Sequence, residues 1–246
     1  MRLKGKVAIV TGGTKGLGRA IATRFLDEGA SVLCAARSPH DIDLLVGEMP
    51  DRVAFHPVDV TDPASVDRLV EAAVERFGGL DVFVANAGVN RDGKVERLAA
   101  ADWTAMVDTN LNGVFYSTQA AARHMAANGS GRIITVSSCM SSRVAIGAAG
   151  YAATKAAVEM FTKTAAIELG RKGVQVNCLA PGVLDGGMGE ELAGNKKAWD
   201  AYSPRFSLGR AGRLSEAADG ALFLASDESS YINGHVLEVN GGLLWA

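Results

Sequence analysis

Tyr151 and Lys155 stand four residues apart in a stretch of helical pattern, so their side chains share one face. A free phenol titrates near 10, too high for easy proton exchange at neutral pH. An ammonium at about 4 Å, at an effective dielectric near 20, favours the phenolate by about 4 kcal/mol, or about three pKa units. The pair is therefore expected to bring the Tyr151 phenol near 7, where it can act as general acid or base. Taken alone, the same pair is also what any amphipathic surface helix carries. A second chemistry-bearing stretch is Thr11-Gly12-Gly13-Thr14-Lys15-Gly16-Leu17-Gly18. Glycines between a strand and a helix let the backbone approach a pyrophosphate, and the helix N-terminus offers free N–H groups and a positive dipole end. Its spacing is G-x-x-x-G-x-G, and a tight strand-to-helix turn with nothing bound is the alternative. Cys34, Cys139 and Cys178 match neither a disulfide framework nor a zinc site, and the four histidines have no ligand spacing, so no metal is expected. Cys139 has no paired histidine and reads as a small buried filler.

These residues need a scaffold, and the chain supplies an alternation. Short apolar runs at 7–10, 31–35, 53–56, 81–85, 132–136, 174–179 and 235–239 are apolar at consecutive positions, the pattern of strands covered on both faces. Helical patterns lie between them. Asp62-Pro63 caps and opens one at about 63–77, and Ser215-Glu216 opens another at about 216–226. The two longest cover about 102–128 and 150–171. Strands alternating with helices predict an α/β fold: one doubly wound domain over 1–246, with a seven-stranded parallel sheet and helices on both faces. The region 183–214, rich in glycine and poor in periodicity, reads as a functional loop. Of 246 residues 48% are apolar, and the net charge is -2, which argues against a nucleic-acid partner. No apolar stretch is long enough for a spanning helix or a signal-peptide core, and three free thiols suit a reducing cytoplasm.

Taken in order, these motifs resemble the short-chain dehydrogenase/reductase family over nearly the whole chain. Thr11–Gly18 is similar to its cofactor loop. Asn86-Ala87-Gly88 after the fourth strand is similar to its N-A-G motif, and Tyr151-Ala152-Ala153-Thr154-Lys155 to its Y-x-x-x-K motif. Asn110 falls in the long fourth helix, Ser138 ends the fifth strand thirteen residues before Tyr151, and Pro181-Gly182 follows the sixth. The resemblance implies a Rossmann fold. It implies that Tyr151 exchanges the proton and that Ser138 bonds the substrate oxygen. It implies that Lys155 also holds the nicotinamide ribose, and that Asn110 anchors a water beside the lysine. It implies cofactor contacts at Gly12, Thr14, Lys15, Gly16, Leu17 and Gly18. Further contacts are implied at Asp59 and Val60 on the adenine edge, at Asn86, Ala87 and Gly88, and at Pro181, Gly182 and Val183.

NAD-using members usually carry an acid at the position of Ala36. Here Arg37 follows, and with Lys15 it suits a 2′-phosphate, so NADP(H) is expected rather than NAD(H). Glycine stands at 186 where the family's P-G-x-x-x-T pattern places threonine, and Asn240 stands where aspartate is common. Within the family the chain resembles the β-ketoacyl–acyl-carrier-protein reductase group. That implies NADPH-dependent reduction of a ketone or β-ketoacyl thioester. The alternatives are a dehydrogenase of a sugar, polyol, steroid or other secondary alcohol, or a cofactor-sensing protein without catalysis. Leu184, Met188, Leu192, Trp199, Tyr202 and Phe206, mixed with Lys196 and Lys197, do not choose between a thioester and a free small molecule. Arg171 and Lys172 read either as a basic patch for an acidic carrier protein or as a match to a helix C-terminus. Apolar side chains at Ala120, Ala121, Met125, Val158, Phe161 and Ala165, and the ending Leu243-Leu244-Trp245-Ala246, read as surfaces covered by a neighbouring subunit, and the family resemblance implies that these helices pair and that the assembly is a homotetramer.

Overall fold

Strands covered on both faces must send alternate side chains into two separate cores, and they do. In the computed structural model, which describes residues 1–40, 42–190 and 196–244, Ile9, Phe83 and Ile133 join one core. Their neighbours Ala8, Val10, Val84 and Ile134 join the other. The strands are β1 (Val7–Thr11), β2 (Ser31–Ala36), β3 (Val53–Pro57), β4 (Val82–Ala85), β5 (Gly131–Val136), β6 (Val174–Pro181) and β7 (Val236–Val239). They form one seven-stranded parallel sheet in the order β3-β2-β1-β4-β5-β6-β7. Register runs Val10 to Cys34 and Val84 on either side of β1, and Thr135 to Cys178 between β5 and β6. The order reverses between β1 and β4, so a crevice opens beyond their C-terminal ends.

Helices α1 (Gly16–Asp27), α2 (Ile42–Glu48) and the late helix Leu214–Ala225 cover the face carrying Val10 and Ile134. Helices α3 (Pro63–Phe77), α5 (Gly113–Asn128) and α6 (Ala149–Gly170) cover the other. Local chemistry sets several ends. Asp62 Oδ1 accepts from the Ala64 N–H at 3.0 Å, Pro63 opens α3, and Gly78 at φ 87° closes it.

Two expectations are corrected. The helix expected over 102–128 is interrupted: α4 (Ala100–Val107) runs into a π-helical turn at Asp108–Asn112 before α5. The extra residue turns Asn110 fully inward. The late helix starts at Leu214, not at about 216, because Glu216 reaches back to the Arg213 N–H at 2.8 Å. The described part of the 183–214 region carries local structure. It holds short 3₁₀ turns at Gly187–Gly189 and Ser203–Arg205 and the helix α7 (Lys196–Tyr202), so the late helix is α8. There Trp199 stacks on Phe206, which packs with Leu243 and Cys139. Leu192, Trp245 and Ala246 lie outside the described residues. Among the described residues no helix is long and apolar enough to cross a membrane, and no group of side chains is arranged to hold a metal.

Candidate active site

Two loops meet at the crevice between β1 and β4. Thr11 Oγ1 accepts from the N–H groups of Asn86 and Ala87 at 3.0 and 3.1 Å. Asn86 Nδ2 donates to Thr11 O at 2.8 Å. The glycine loop thus reaches the Asn86-Ala87-Gly88 segment through backbone-directed bonds. Its glycines are required by shape. Gly12 and Gly16 have φ of +65° and +52°. A Cβ on Gly13 would lie 2.6 Å from Val10 O, and one on Gly18 would collide with Gly12 O.

The residues present suit a dinucleotide. Thr14 Oγ1 is buried and has no hydrogen-bond partner, a donor positioned for an anion's oxygen. The first turn of α1 has no side-chain cap and no acidic residue, so its N–H groups and dipole remain open to a pyrophosphate. Lys15 precedes that turn and is exposed, and Leu17 is partly buried. Just past the end of β3, Asp59 Oδ1 accepts from the N–H and Oγ1 of Thr61 at 3.0 and 2.8 Å. These bonds, together with the nearby charge of exposed Arg37, hold its carboxyl below the usual range. Val60 is buried beside it against Gly113. On the other side, the Gly182 N–H donates to Val239 O at 2.9 Å, so the chain after Pro181 runs on into Val183 alongside β7. A Cβ on Gly186 would come within 2.8 Å of Leu214 Cδ1. Leu214 therefore occupies space that the family's threonine would need.

The proton-transfer candidates converge around α6. Lys155 is buried one turn beyond Tyr151, and its Nζ lies 5.5 Å from the Tyr151 ring centroid and donates to Val136 O at 2.8 Å. Burial brings the Lys155 ammonium down to about 8. Burial also pushes the Tyr151 phenol up to about 12, against the lowering effect of a hydrogen bond with Ser138. This corrects the expectation of a phenol near 7. Both charged forms lose hydration in the same buried corner, and the lysine spends a donor on a carbonyl.

Ser138 stands just past the end of β5 and caps the turn Cys139–Ser141, its Oγ accepting from the Met140 N–H at 3.2 Å. Asn110 Oδ1 accepts from the Val89 N–H at 2.8 Å. Its Nδ2 donates to Val89 O at 2.8 Å and to Thr154 Oγ1 at 3.2 Å. It therefore fastens the chain after Gly88 to the helix that carries Tyr151 and Lys155. Cys139 is buried with its thiol pushed up by burial, as a packing residue would be.

Sequence reasoning missed two residues. Arg143 is buried, pairs with Glu238 at 2.9 Å and donates to Leu243 O at 2.9 Å, tying the loop before Tyr151 to the C-terminal segment. Its signal was a lone charge among small and apolar residues at 144–150. Glu159 reaches the turn that carries Ser138. Its signal was the continued spacing of four from Tyr151 through Lys155. Asn240 Oδ1 accepts from the N–H groups of Gly242 and Leu243, as an aspartate oxygen would, while its Nδ2 donates to Glu238 Oε2, which an aspartate could not do.

Known proteins match this chain over nearly its whole length. Residues 12–244 match the family model described as enoyl-(acyl carrier protein) reductase. The chain is 40% identical over 247 residues to 3-oxoacyl-(acyl-carrier-protein) reductase FabG of Thermotoga maritima, covering 99% of this chain and all of that protein. It superposes with a TM-score of 0.93, at 35% identity, on a crystal structure of a gluconate 5-dehydrogenase from Burkholderia cenocepacia J2315 in complex with NADP and tartrate. That match covers 98% of this chain and 96% of the other. A levodione reductase structure matches equally well, with a TM-score of 0.93 at 34% identity and 98% of both chains covered.

Proposed function

The chain belongs to the short-chain dehydrogenase/reductase family and is an oxidoreductase acting on CH–OH and C=O groups; from that premise we propose that it reduces a ketone or β-ketoacyl thioester to a secondary alcohol with NADPH. What supports this reading above all is the convergence of Ser138, Tyr151 and Lys155 beside a glycine loop whose buried Thr14 hydroxyl lacks a partner. When bound, the cofactor supplies the hydride. Gly12, Thr14, Gly16 and Gly18 hold its pyrophosphate, with Lys15 and Arg37 toward the 2′-phosphate. Ser138 donates a hydrogen bond to the substrate oxygen, and Tyr151 delivers the proton to that oxygen. Lys155 holds positive charge behind the phenol, and Asn110 keeps Gly88 and Thr154 in register around it. The neutral phenol favoured by burial suits the donor role in the reducing direction.

The substrate class follows the named relatives. The 3-oxoacyl reductase favours a thioester, carried by an acyl carrier protein or free. The gluconate dehydrogenase keeps a polyol dehydrogenase as the second reading. Arg171 and Lys172 do not stand beside this chain's own site. They are exposed some twenty residues along or beyond α6 from Tyr151, about 30 Å away. NADPH oxidation against acetoacetyl thioesters, keto sugar acids, diketones and steroid ketones tests the function. Turnover with an acetoacetyl thioester at least tenfold above the keto sugar acids is expected, and NADP⁺-dependent oxidation of polyols alone would overturn it.

We also infer a homotetramer, on different residues from those first expected. Ala120, Ala121, Met125, Val158 and Ala165 fill the chain's own core, Phe161 packs against it, and Leu243 is buried within the chain. The uncovered apolar side chains on α5 and α6 are Phe115, Met160 and Ile167, the last 82% exposed. Light scattering at micromolar concentration is expected to give four times the chain mass, and a monomer would refute the inference. The three thiols are buried and free, which suits a reducing compartment, and the protein is assigned to the cytoplasm.

A further inference from the structure

The turn that carries Ser138 leaves the sheet. β5 ends at Val136, and the last ladder-like bond is from the Ser137 N–H to Leu179 O at 2.8 Å. Beyond it, Cys139–Ser141 form one 3₁₀ turn, closed from the Ser141 N–H to Ser138 O at 3.0 Å. A single turn of this kind is weakly held by its own bonds. Tyr151 and Lys155 lie on a different element, and proton delivery needs the Ser138 hydroxyl and the phenol to address one substrate oxygen.

Glu159 bridges the two. It continues the spacing of four from Tyr151 and Lys155, so it rides on the same face of α6 two turns beyond Tyr151. Its Oε1 accepts from Ser137 Oγ at 2.9 Å and also from Ser141 Oγ. Ser137 immediately precedes Ser138, and Ser141 ends the turn that Ser138 caps. One carboxylate oxygen thus holds the turn from both sides. Ser137 Oγ is also 3.1 Å from Lys155 O, which draws the same residue toward the helix backbone. Hydroxyl donors to a carboxylate make shorter and stronger bonds than neutral pairs do.

We propose that Glu159 is a positioning residue that fixes Ser138 relative to Tyr151 by tying the Ser138 turn to α6. The inference rests on the reading of Ser138 as the substrate-oxygen donor. It concerns a residue outside the proton-transfer set, and it predicts that Glu159 acts only through Ser138.

The test combines Glu159→Ala and Glu159→Gln with wild-type and Ser138→Ala backgrounds, measuring kcat, the carbonyl KM and the NADPH Kd. Glu159→Ala is expected to lower kcat about 10-fold, the scale of a small misplacement, with NADPH Kd unchanged. Glu159→Gln keeps an oxygen acceptor at the same place and should restore kcat to within about threefold of wild type. In the Ser138→Ala background Glu159→Ala should cost nothing more, since residues acting as a unit are not additive. An equal further loss in that background, an unchanged kcat in Glu159→Ala, or a Gln variant as slow as Ala each overturns the proposal. A Ser138→Ala enzyme as fast as wild type would instead overturn the reading of the site itself. If Glu159→Ala does not fold, Ser141→Ala removes one of the two contacts. It should slow kcat about threefold, again only when Ser138 is present.

Discussion

Tyr151→Phe is expected to lower turnover by about 10²–10⁴-fold while NADPH binding stays near wild type, because it removes one acidic proton and leaves the ring's packing in place. The pH profile should carry a second signature. With its phenol pushed up to about 12, Tyr151 keeps its proton through the neutral range. The Lys155 ammonium, brought down to about 8 by burial, is charged below that pH and loses its proton above it. Reduction is therefore expected to be level on the acid side of about 8 and to fall as pH rises through it. Lys155→Met should impair turnover and NADPH binding together, since the lysine is read as holding both the charge behind the phenol and the ribose. Retention of more than a tenth of wild-type turnover in Tyr151→Phe would remove the role assigned to the phenol. A profile that keeps rising past pH 8 would remove the one assigned to the lysine.

Cofactor choice carries the next largest effect. Wild-type kcat/KM should favour NADPH over NADH by about 10²-fold, because a charge-assisted phosphate contact is worth about 1.5–3 kcal/mol and two contacts on one phosphate do not add fully. Ala36 closes β2 partly buried, and the Arg37 guanidinium that follows is exposed, near enough for its charge to be felt at Asp59. Ala36→Asp should invert the preference by repelling the 2′-phosphate and accepting from a ribose hydroxyl. Arg37→Ala should weaken NADPH and leave NADH nearly untouched, and raised salt should narrow the gap. Equal use of both cofactors by the wild type, or equal weakening of both by Arg37→Ala, would make Arg37 a surface charge only.

Glu159 and Arg143 mark the boundary of what a linear reading can find. Each had a faint signal, a spacing of four or a lone charge among small residues. The meaning of each depends on an element distant in the chain: Ser137 and Ser141 for Glu159, Glu238 and Leu243 for Arg143. The same limit explains the residues first chosen for subunit contact. Apolar periodicity says that α5 and α6 have apolar stripes, but which stripe meets the sheet depends on how each helix is rotated on it. Ala121 and Val158 went inward, and Phe115 and Ile167 stayed out.

By itself the sequence determined the alternation of strands and helices. A run such as Val7–Val10 has no polar face to offer water and must be covered on both sides. It also determined the glycine loop, whose backbone at Gly12 and Gly16 needs positive φ, and the order of the motifs along the chain. Only the tertiary structure decided the electrostatics of the site. Sequence spacing puts an ammonium near a phenol, but the sign of the outcome depends on how much water both lose. At Tyr151 and Lys155 desolvation is the largest influence on each group, so the phenol stays neutral and the lysine is weakened. The π turn at Asp108–Asn112 was decided there too, since Asn110 turns inward to bond Val89 and Thr154, partners that only the folded chain brings within reach.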